Sequence, residues 1–196
     1  MSAYIFYGKA GSGKGTQAQK LKEYLESQGR SVIYIETGAL FRSFIESHKD
    51  SLAARRMDEI ISQGQLMPVF FPVYSWAHEL IQNYTGAEDI IMDGVARREE
   101  EAKILDSALD FFQVQNRLVV HIDIFDETAV QRLLIRNQGR ADDATPEKIQ
   151  KRLDWYRENV LPVFEYFHDH EQYRFASING EETPEGVFEQ IKSLIK

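Results

Sequence analysis

The stretch GKAGSGKGTQ, at residues 8–17, constrains the fold of this chain more than any other feature. It follows an apolar run at 3–7 and precedes a helical pattern, so a strand, a tight loop and a helix N-terminus come in that order. The glycines allow the backbone to turn tightly and point amide N–H groups at phosphate oxygens, and Lys14 could neutralise a β- or γ-phosphate. This order of elements indicates a phosphate-binding loop rather than a glycine-rich turn that binds nothing.

The residue after Lys14 departs from the commonest form of such a loop. That form places Ser or Thr directly after the lysine. Here Gly15 follows Lys14, and the hydroxyl comes one position later, at Thr16. The loop by itself therefore leaves open which phosphates it holds.

Short β-rich runs alternate with helical patterns along the chain, which predicts an α/β fold, a parallel sheet covered by helices. Several helices and no strand are predicted between residues 37 and 86, so we expect a small helical lobe inserted between two strands. The five candidate strands are 3–7, 32–35, 90–92, 118–124 and 173–177. The helical patterns fall near 14–28, 38–47, 52–63, 69–83, 98–112, 127–138, 146–168 and 184–195.

Composition excludes several classes of protein. The 196 residues include no cysteine, which rules out disulfides and thiolate metal sites. The net charge of −8 argues against broad electrostatic binding of nucleic acid or anionic lipid. The chain has no apolar run of about 20 residues that could span a bilayer, and its N-terminus does not resemble a secretory signal. We therefore expect a cytoplasmic protein whose anionic ligands are held by locally placed arginines and lysines.

A carboxylate and several arginines fit the phosphate-binding loop. The apolar stretch EDIIMDG predicts a strand ending at Asp93, where a carboxylate can organise Mg²⁺ beside bound phosphates. Guanidinium groups bind phosphate bidentately, and several together could surround a transferring phosphoryl group. For each one, a solvated position on the surface is the open alternative. The candidates are Arg42, Arg97, Arg132, Arg136, Arg140 and Arg152.

The motifs GSGKGTQ, ETGALFR, QGQLMP, DGVAR, RLLIR, GRADD and KRLDWY together resemble the adenylate kinase family of nucleoside monophosphate kinases. The resemblance runs nearly end to end, and glycine after the lysine is similar to this family's loop. It implies a single P-loop NTPase-type domain over 1–196. The core would comprise 1–36 and 87–196, with an acceptor-binding helical lobe at 37–86 and a short lid at about 136–145.

The resemblance also implies the reaction. The γ-phosphoryl group of ATP, bound with Mg²⁺ and without zinc, would pass to a nucleoside monophosphate, with AMP as the expected acceptor (ATP + AMP = 2 ADP). The alternatives are a kinase for GMP, CMP or UMP and a catalytically weak nucleotide-binding relative. We expect a monomer whose partners are these small molecules, with no nucleic acid and no membrane.

Particular residues take roles from the resemblance. ATP would be held by the loop and by Arg132, which would stack on the base; the loop residues are Gly11, Ser12, Gly13, Lys14, Gly15 and Thr16. The acceptor would contact Thr37, Gly38, Arg42, Gln65, Met67, Gly94, Arg97, Glu101, Arg140 and Arg152. The catalytic residues would be Lys14, Arg97, Arg136, Arg140 and Arg152. Asp93 would hold the metal through water, and the lid arginines would be oriented by Asp142 and Asp143.

The chain also departs from the family pattern. The proline of the family's loop is Ala10, with Lys9 beside it, and DGFPR has become DGVAR, which places Val95 where the family has an aromatic residue. Where the family pattern has a glutamine that reads adenine, this chain has Glu101. A carboxylate only accepts hydrogen bonds, so Glu101 on its own would favour guanine, which presents two adjacent donors. The other interpretation is an acidic residue in the first turn of a helix, stabilised by the helix dipole.

Overall fold

Five parallel strands form the centre of the computed structural model, which describes residues 1–136 and 145–195, without the side chain of Arg136. Their order is β2-β3-β1-β4-β5, and every neighbouring pair is parallel. The predicted strands are confirmed to within a few residues at each end. The observed bounds are β1 Ser2–Tyr7, β2 Val32–Glu36, β3 Asp89–Asp93, β4 Asn116–Asp123 and β5 Tyr173–Asn179.

Helices connect these strands, close to the predicted positions. The expected single helix over 146–168 is divided by a π-helical turn at Tyr156–Val160. Pro162 lies just after this turn and has no N–H to donate back along the helix, which explains why regular pairing is interrupted there. The helices are α1 Lys14–Ser27, α2 Thr37–Ser47, α3 Leu52–Ser62, α4 Phe70–Asn83, α5 Glu99–Phe111, α6 Asp126–Arg136, α7 Pro146–Trp155, α8 Leu161–His168 and α9 Pro184–Lys192.

The sheet is buried on both faces. Successive residues of a strand point to opposite sides, and β1 shows this directly. Ile5 packs in a cluster with residues of α4, α5 and α8, whereas Phe6 packs in a second cluster with residues of α1 and α9. A central strand covered on both sides is held firmly, so the loop that follows β1 starts from a fixed point.

The segment between β2 and β3 contains α2, α3 and α4, as the sequence predicted. Part of it has its own small apolar cluster, in which Met57, Met67 and Phe71 are buried against Phe41 and Phe44. The later part of α4 instead contributes to the cluster on the central sheet. In residues 1–136 and 145–195 no helix combines the length and the apolar character needed to cross a membrane.

The strand order places the ends of β1 and β3 next to each other. In the register of this pair, Phe6 lies beside Asp93. On its other side β1 pairs with β4, and Tyr7 lies beside His121. Because the strand order reverses around β1, the carboxyl edge of the sheet at this point is the expected ligand position in an open α/β fold.

Candidate active site

The loop after β1 ends at an uncapped helix N-terminus. α1 begins at Lys14, directly after Gly13 in the left-handed conformation with φ of 85°, and no side chain caps the first N–H groups. The first turn also contains no acidic residue. Ser12 is buried, and its hydroxyl has no hydrogen-bond partner among the described residues. Unsatisfied donors and the helix dipole at one point make a site suited to an anion.

Gly15 explains why the hydroxyl is missing from the position after the lysine. A Cβ atom at this position would lie 3.0 Å from Oδ2 of Asp93, so a serine or threonine side chain would crowd the carboxylate. Glycine lets the first turn of α1 approach the end of β3 closely. The exposed Thr16 follows on the next residue of the turn.

Asp93 lies at the end of β3 with 6% of its surface exposed, beside the phosphate-binding loop. Across the two described ranges, no group of three or more histidine and carboxylate side chains is arranged to hold a metal ion. Mg²⁺ often keeps its waters and is bound through substrate phosphates with one or two carboxylates. A single carboxylate beside a phosphate site therefore fits magnesium brought by a nucleotide. The predicted absence of zinc stays a prediction.

Arg97, in the loop after β3, and Arg152, in α7, are close enough for their charges to interact. Arg97 is half-buried, and its Nε donates to the Gly94 carbonyl at 3.0 Å. Burial lowers the pKa of Arg97, and the positive charge of Arg152 lowers it further, while Asp93 and Glu101 act in the opposite direction. Two positively charged guanidinium groups repel each other, and an anion bound between them stabilises both. This pair is therefore suited to a phosphoryl group.

The other predicted arginines have different surroundings. Arg132 in α6 reaches the end of β5, where its Nη2 donates to the Gly180 carbonyl at 3.0 Å. The side chain of Arg42 is 53% exposed and pairs with Glu36 at 2.8 Å. Their predicted contacts with nucleotides stay predictions. The side chain of Arg136 lies outside the described part of the chain, as do Arg140, Asp142, Asp143 and most of the predicted lid at 136–145.

The residues predicted to hold the acceptor lie next to the β2 and β3 ends. Thr37 begins α2, is 3% exposed, and its hydroxyl makes no hydrogen bond within residues 1–136 and 145–195. Gly38 lies so close to Arg42 that a Cβ atom there would be 3.1 Å from Nη1. Gln65 is exposed, whereas the side chain of Met67 is buried in the lobe cluster. An orphaned buried hydroxyl at a helix start fits the predicted ligand site.

Glu101 is paired with an arginine that the sequence reasoning missed. It lies in the first turn of α5 and is only 2% exposed. Its Oε2 accepts a hydrogen bond from the backbone N–H of Arg97 at 2.8 Å, and its Oε1 accepts one from Nη1 of Arg98 at 3.2 Å. The same Nη1 donates to the Met67 carbonyl at 2.9 Å. Burial raises the pKa of Glu101, and its contacts with Arg97 and Arg98 act against this rise.

Arg98 could have been identified from its spacing. Residues three apart meet on a helix face, and Arg98 stands three residues before Glu101 at the start of a predicted helix. Glu101 does lie in the first turn of α5, as one interpretation held. It is nevertheless buried against the junction with the helical lobe rather than solvated.

The helical lobe also touches α7. Lys148 Nζ donates to the Ser62 carbonyl at the end of α3, at 3.0 Å. A Cβ atom at Gly64 would lie 4.0 Å from Cγ of Arg152. The lobe and α7 therefore approach each other beside the two clustered arginines.

Comparison with known proteins identifies the family of the chain. A sequence model of the family described as Adenylate kinase matches residues 6–172. Adenylate kinase 1 of Nostoc sp. is 31% identical, with 100% of this chain and 99% of that protein covered. The adenylate kinase of Encephalitozoon cuniculi is also 31% identical, with 100% and 98% covered. That of Corynebacterium aurimucosum is 34% identical over 95% of both chains.

Proposed function

The chain belongs to the adenylate kinase family and is a nucleoside monophosphate kinase, and we propose that its acceptor is AMP, in the reaction ATP + AMP = 2 ADP. The observation that carries the choice of AMP is the pair formed by Glu101 and Arg98. This pair occupies the place where the family pattern has a glutamine that reads adenine.

The hydrogen-bonding pattern of the pair is that of an amide. Adenine presents an N6–H donor beside the N1 acceptor, and a glutamine amide matches them with one acceptor and one donor. The Glu101 carboxylate supplies the acceptor. Arg98 supplies the donors, since among the described residues only its Nη1 makes hydrogen bonds. At the same two positions guanine presents the reverse order, an O6 acceptor beside an N1–H donor. O6 would then face the Glu101 carboxylate, and N1–H would face the guanidinium group, which has no acceptor.

Catalysis in this proposal consists of positioning and charge neutralisation. Lys14 and the N–H groups of the loop bind the donor phosphates, while Arg97 and Arg152 hold the phosphoryl group as it moves to the acceptor. No general base is required of the chain for this kind of transfer. Mg²⁺ bound with ATP neutralises charge on the phosphates, and Asp93 would orient its water ligands.

The remaining features are part of the same proposal. The lobe at 37–86 binds the acceptor, and Arg136 and Arg140 of a short lid at about 136–145 complete the set of arginines around the phosphoryl group. The enzyme acts as a monomer in the cytoplasm, without zinc, nucleic acid or a membrane partner. The support is the resemblance of these segments to the family pattern, together with a composition that has no cysteine and a net charge of −8.

A panel of acceptors tests the proposal. We expect the highest kcat/KM with AMP when ATP, Mg²⁺ and each of AMP, GMP, CMP and UMP are compared in one assay that detects ADP. Turnover should stop when EDTA removes the metal and return when Mg²⁺ is added in excess. A preference for GMP would instead favour recognition of guanine by the Glu101 carboxylate. Nucleotide binding without turnover on any acceptor would indicate a catalytically weak relative.

A further inference from the structure

The phosphate-binding loop contains a second lysine whose side chain is directed at the protein itself. The Lys9 side chain is 15% exposed. Its Nζ donates to the Ile124 carbonyl at 2.6 Å and to Oδ1 of Asp126 at 2.8 Å. Ile124 lies between β4 and α6, and Asp126 is the first residue of α6. An ammonium group that makes two short bonds to the chain is placed to fix the loop rather than to bind a phosphate.

Asp126 is itself held in place from its other side. Its Oδ2 pairs with Arg157, and Nη1 of Arg157 donates to Oδ1 of Asp154 at 2.6 Å. Charges of alternating sign thus connect the loop to α6, to the π-helical turn and to α7. The Arg157 side chain is 42% exposed, so solvent screens that part of the series more strongly. The pair of Lys9 with Asp126 is the less exposed part of the series and the only part that touches the loop.

The loop begins with a β-turn over residues 9–12, and a hydrogen bond and the φ angle of Gly11 define its type. The Ser12 N–H donates to the Lys9 carbonyl at 3.1 Å, which closes a four-residue turn over 9–12. Gly11, the third residue of the turn, has φ of 84°, the value of that position in a type II turn. The second position of such a turn favours proline, because the ring fixes φ near the required value. Here that position is Ala10, whose backbone φ no ring restricts.

We propose that Lys9 is a positioning residue that fixes this turn through Asp126 and Ile124, so that the N–H groups of the loop are preorganised for the donor phosphates. The electrostatic contact of Lys9 provides the restraint that a proline ring at position 10 would provide covalently. A loop already held in its binding conformation loses less conformational entropy when the ligand arrives. The inference rests on the proposed function only in that the donor is a nucleoside triphosphate bound by this loop.

A rescue experiment tests this role. The variants are Lys9→Met, Ala10→Pro and the double variant Lys9→Met/Ala10→Pro, with Lys22→Met on the outer face of α1 as the matched control. Lys9→Met keeps the length of the side chain and removes its charge. We expect it to weaken ATP binding about tenfold, equivalent to about 1.4 kcal/mol, in calorimetric titrations without an acceptor. The double variant should regain most of this affinity, because Ala10 donates no hydrogen bond within the described residues and the turn accepts proline.

Kinetic constants separate positioning from chemistry. With the acceptor saturating, Lys9→Met should raise KM for ATP by a similar factor and change kcat less than about twofold, in the pattern of lost ground-state binding. Asp126→Asn should also weaken ATP binding, as Lys9→Met does. Unchanged ATP affinity in Lys9→Met would overturn the proposal. So would a loss that proline does not restore and Asp126→Asn does not reproduce, because Lys9 would then contact the nucleotide directly.

The same experiment remains informative if a variant folds poorly or the acceptor is not AMP. Thermal melts of each variant identify a folding defect, and Ala10→Pro in the otherwise unchanged chain is then decisive. It should leave ATP affinity unchanged or tighter, and a loss of affinity would show that the turn is not of the assigned type. Titration with ATP alone does not depend on the acceptor, so failure of the AMP assignment and failure of this inference give different results.

Discussion

Two loops stand side by side at the carboxyl edge of the sheet, one after β1 and one after β3, and in the proposed function they bind ligands by different means. The loop after β1 has glycine at both positions with a left-handed backbone, Gly11 and Gly13. Its proposed binding groups are backbone N–H groups and the uncapped start of α1. The loop after β3 has Gly94 with φ of 71°, but then Ala96 with φ of 49°, a conformation that alanine seldom adopts.

This difference decides how far each loop can be understood from the sequence around it. Backbone groups are present whatever the side chains are, so a short pattern of glycines followed by a lysine is sufficient to specify a phosphate site. Recognition of the acceptor depends on side chains that come from distant parts of the chain. The meaning of Glu101, for example, changes when Arg98 and the Met67 carbonyl lie beside it.

The largest effect should follow from a change on the donor side. In the proposed function, Lys14→Ala removes the cation that compensates charge on the transferring phosphoryl group. Such a contact in a site shielded from water commonly contributes several kcal/mol, so we expect kcat to fall by at least about 100-fold, at tenfold per 1.36 kcal/mol. The measurement is steady-state turnover with saturating ATP and AMP, on protein whose melting temperature shows that it is folded.

Lys22→Ala provides the matched control for this experiment. Lys22 lies on the same helix and pairs with Glu26 at 2.7 Å on the outer surface. Its replacement should leave kcat within about twofold, since an exposed pair of this kind contributes at most about 1 kcal/mol to stability. Near-normal turnover in Lys14→Ala would contradict the assignment of the phosphate-binding loop.

Much of the fold was accessible from the sequence for physical reasons. Parallel strands buried on both faces give apolar runs, and all five strands and the insertion after β2 were found in this way. The division of the stretch 146–168 was not found, although Pro162 within it was the signal. The convergence of Arg97 with Arg152 could not be predicted from periodicity, because the two residues lie on separate elements that only the tertiary fold brings near each other.

A substitution in the proposed acceptor site, Arg98→Ala, should have the next largest effect on activity. Arg98→Ala leaves the Glu101 carboxylate without its guanidinium partner, while the Arg97 backbone N–H still donates to Oε2, so adenine N1 would face an acceptor. A mismatch of this kind costs about 1–3 kcal/mol. We therefore expect kcat/KM for AMP to fall about tenfold and the ratio of GMP to AMP efficiency to rise. Lys103→Ala, an exposed residue of α5, is the control and should change neither value.

The variant Glu101→Gln tests whether Glu101 acts on the base together with Arg98 or as an isolated carboxylate. With Arg98 present, an amide at position 101 still offers an acceptor, so kcat/KM for AMP should stay within about threefold of the original value. A large rise in AMP efficiency in this variant would mean that the carboxylate had opposed adenine. Unchanged specificity in both Arg98→Ala and Glu101→Gln would mean that the pair only joins the lobe to α5.

The smallest effect, and the most direct comparison of the two loops, comes from adding a proline to each. The family pattern has proline at both Ala10 and Ala96, yet only one of these positions can accept it here. Ala96 is fully buried with φ of 49°, and its carbonyl accepts the Tyr7 hydroxyl at 2.8 Å, whereas proline requires φ near −65°.

We expect Ala96→Pro to lower the free energy of unfolding by more than about 1 kcal/mol, and Ala10→Pro to leave it unchanged or raise it by about 0.4–1 kcal/mol. Urea and thermal unfolding measure both, with Ala96→Gly as the control that relieves the backbone at the cost of one buried methyl group, about 0.8 kcal/mol. Equal stability of the two proline variants would show that the loop after β3 also reaches negative φ, and the contrast between the loops would then lie in their side chains alone.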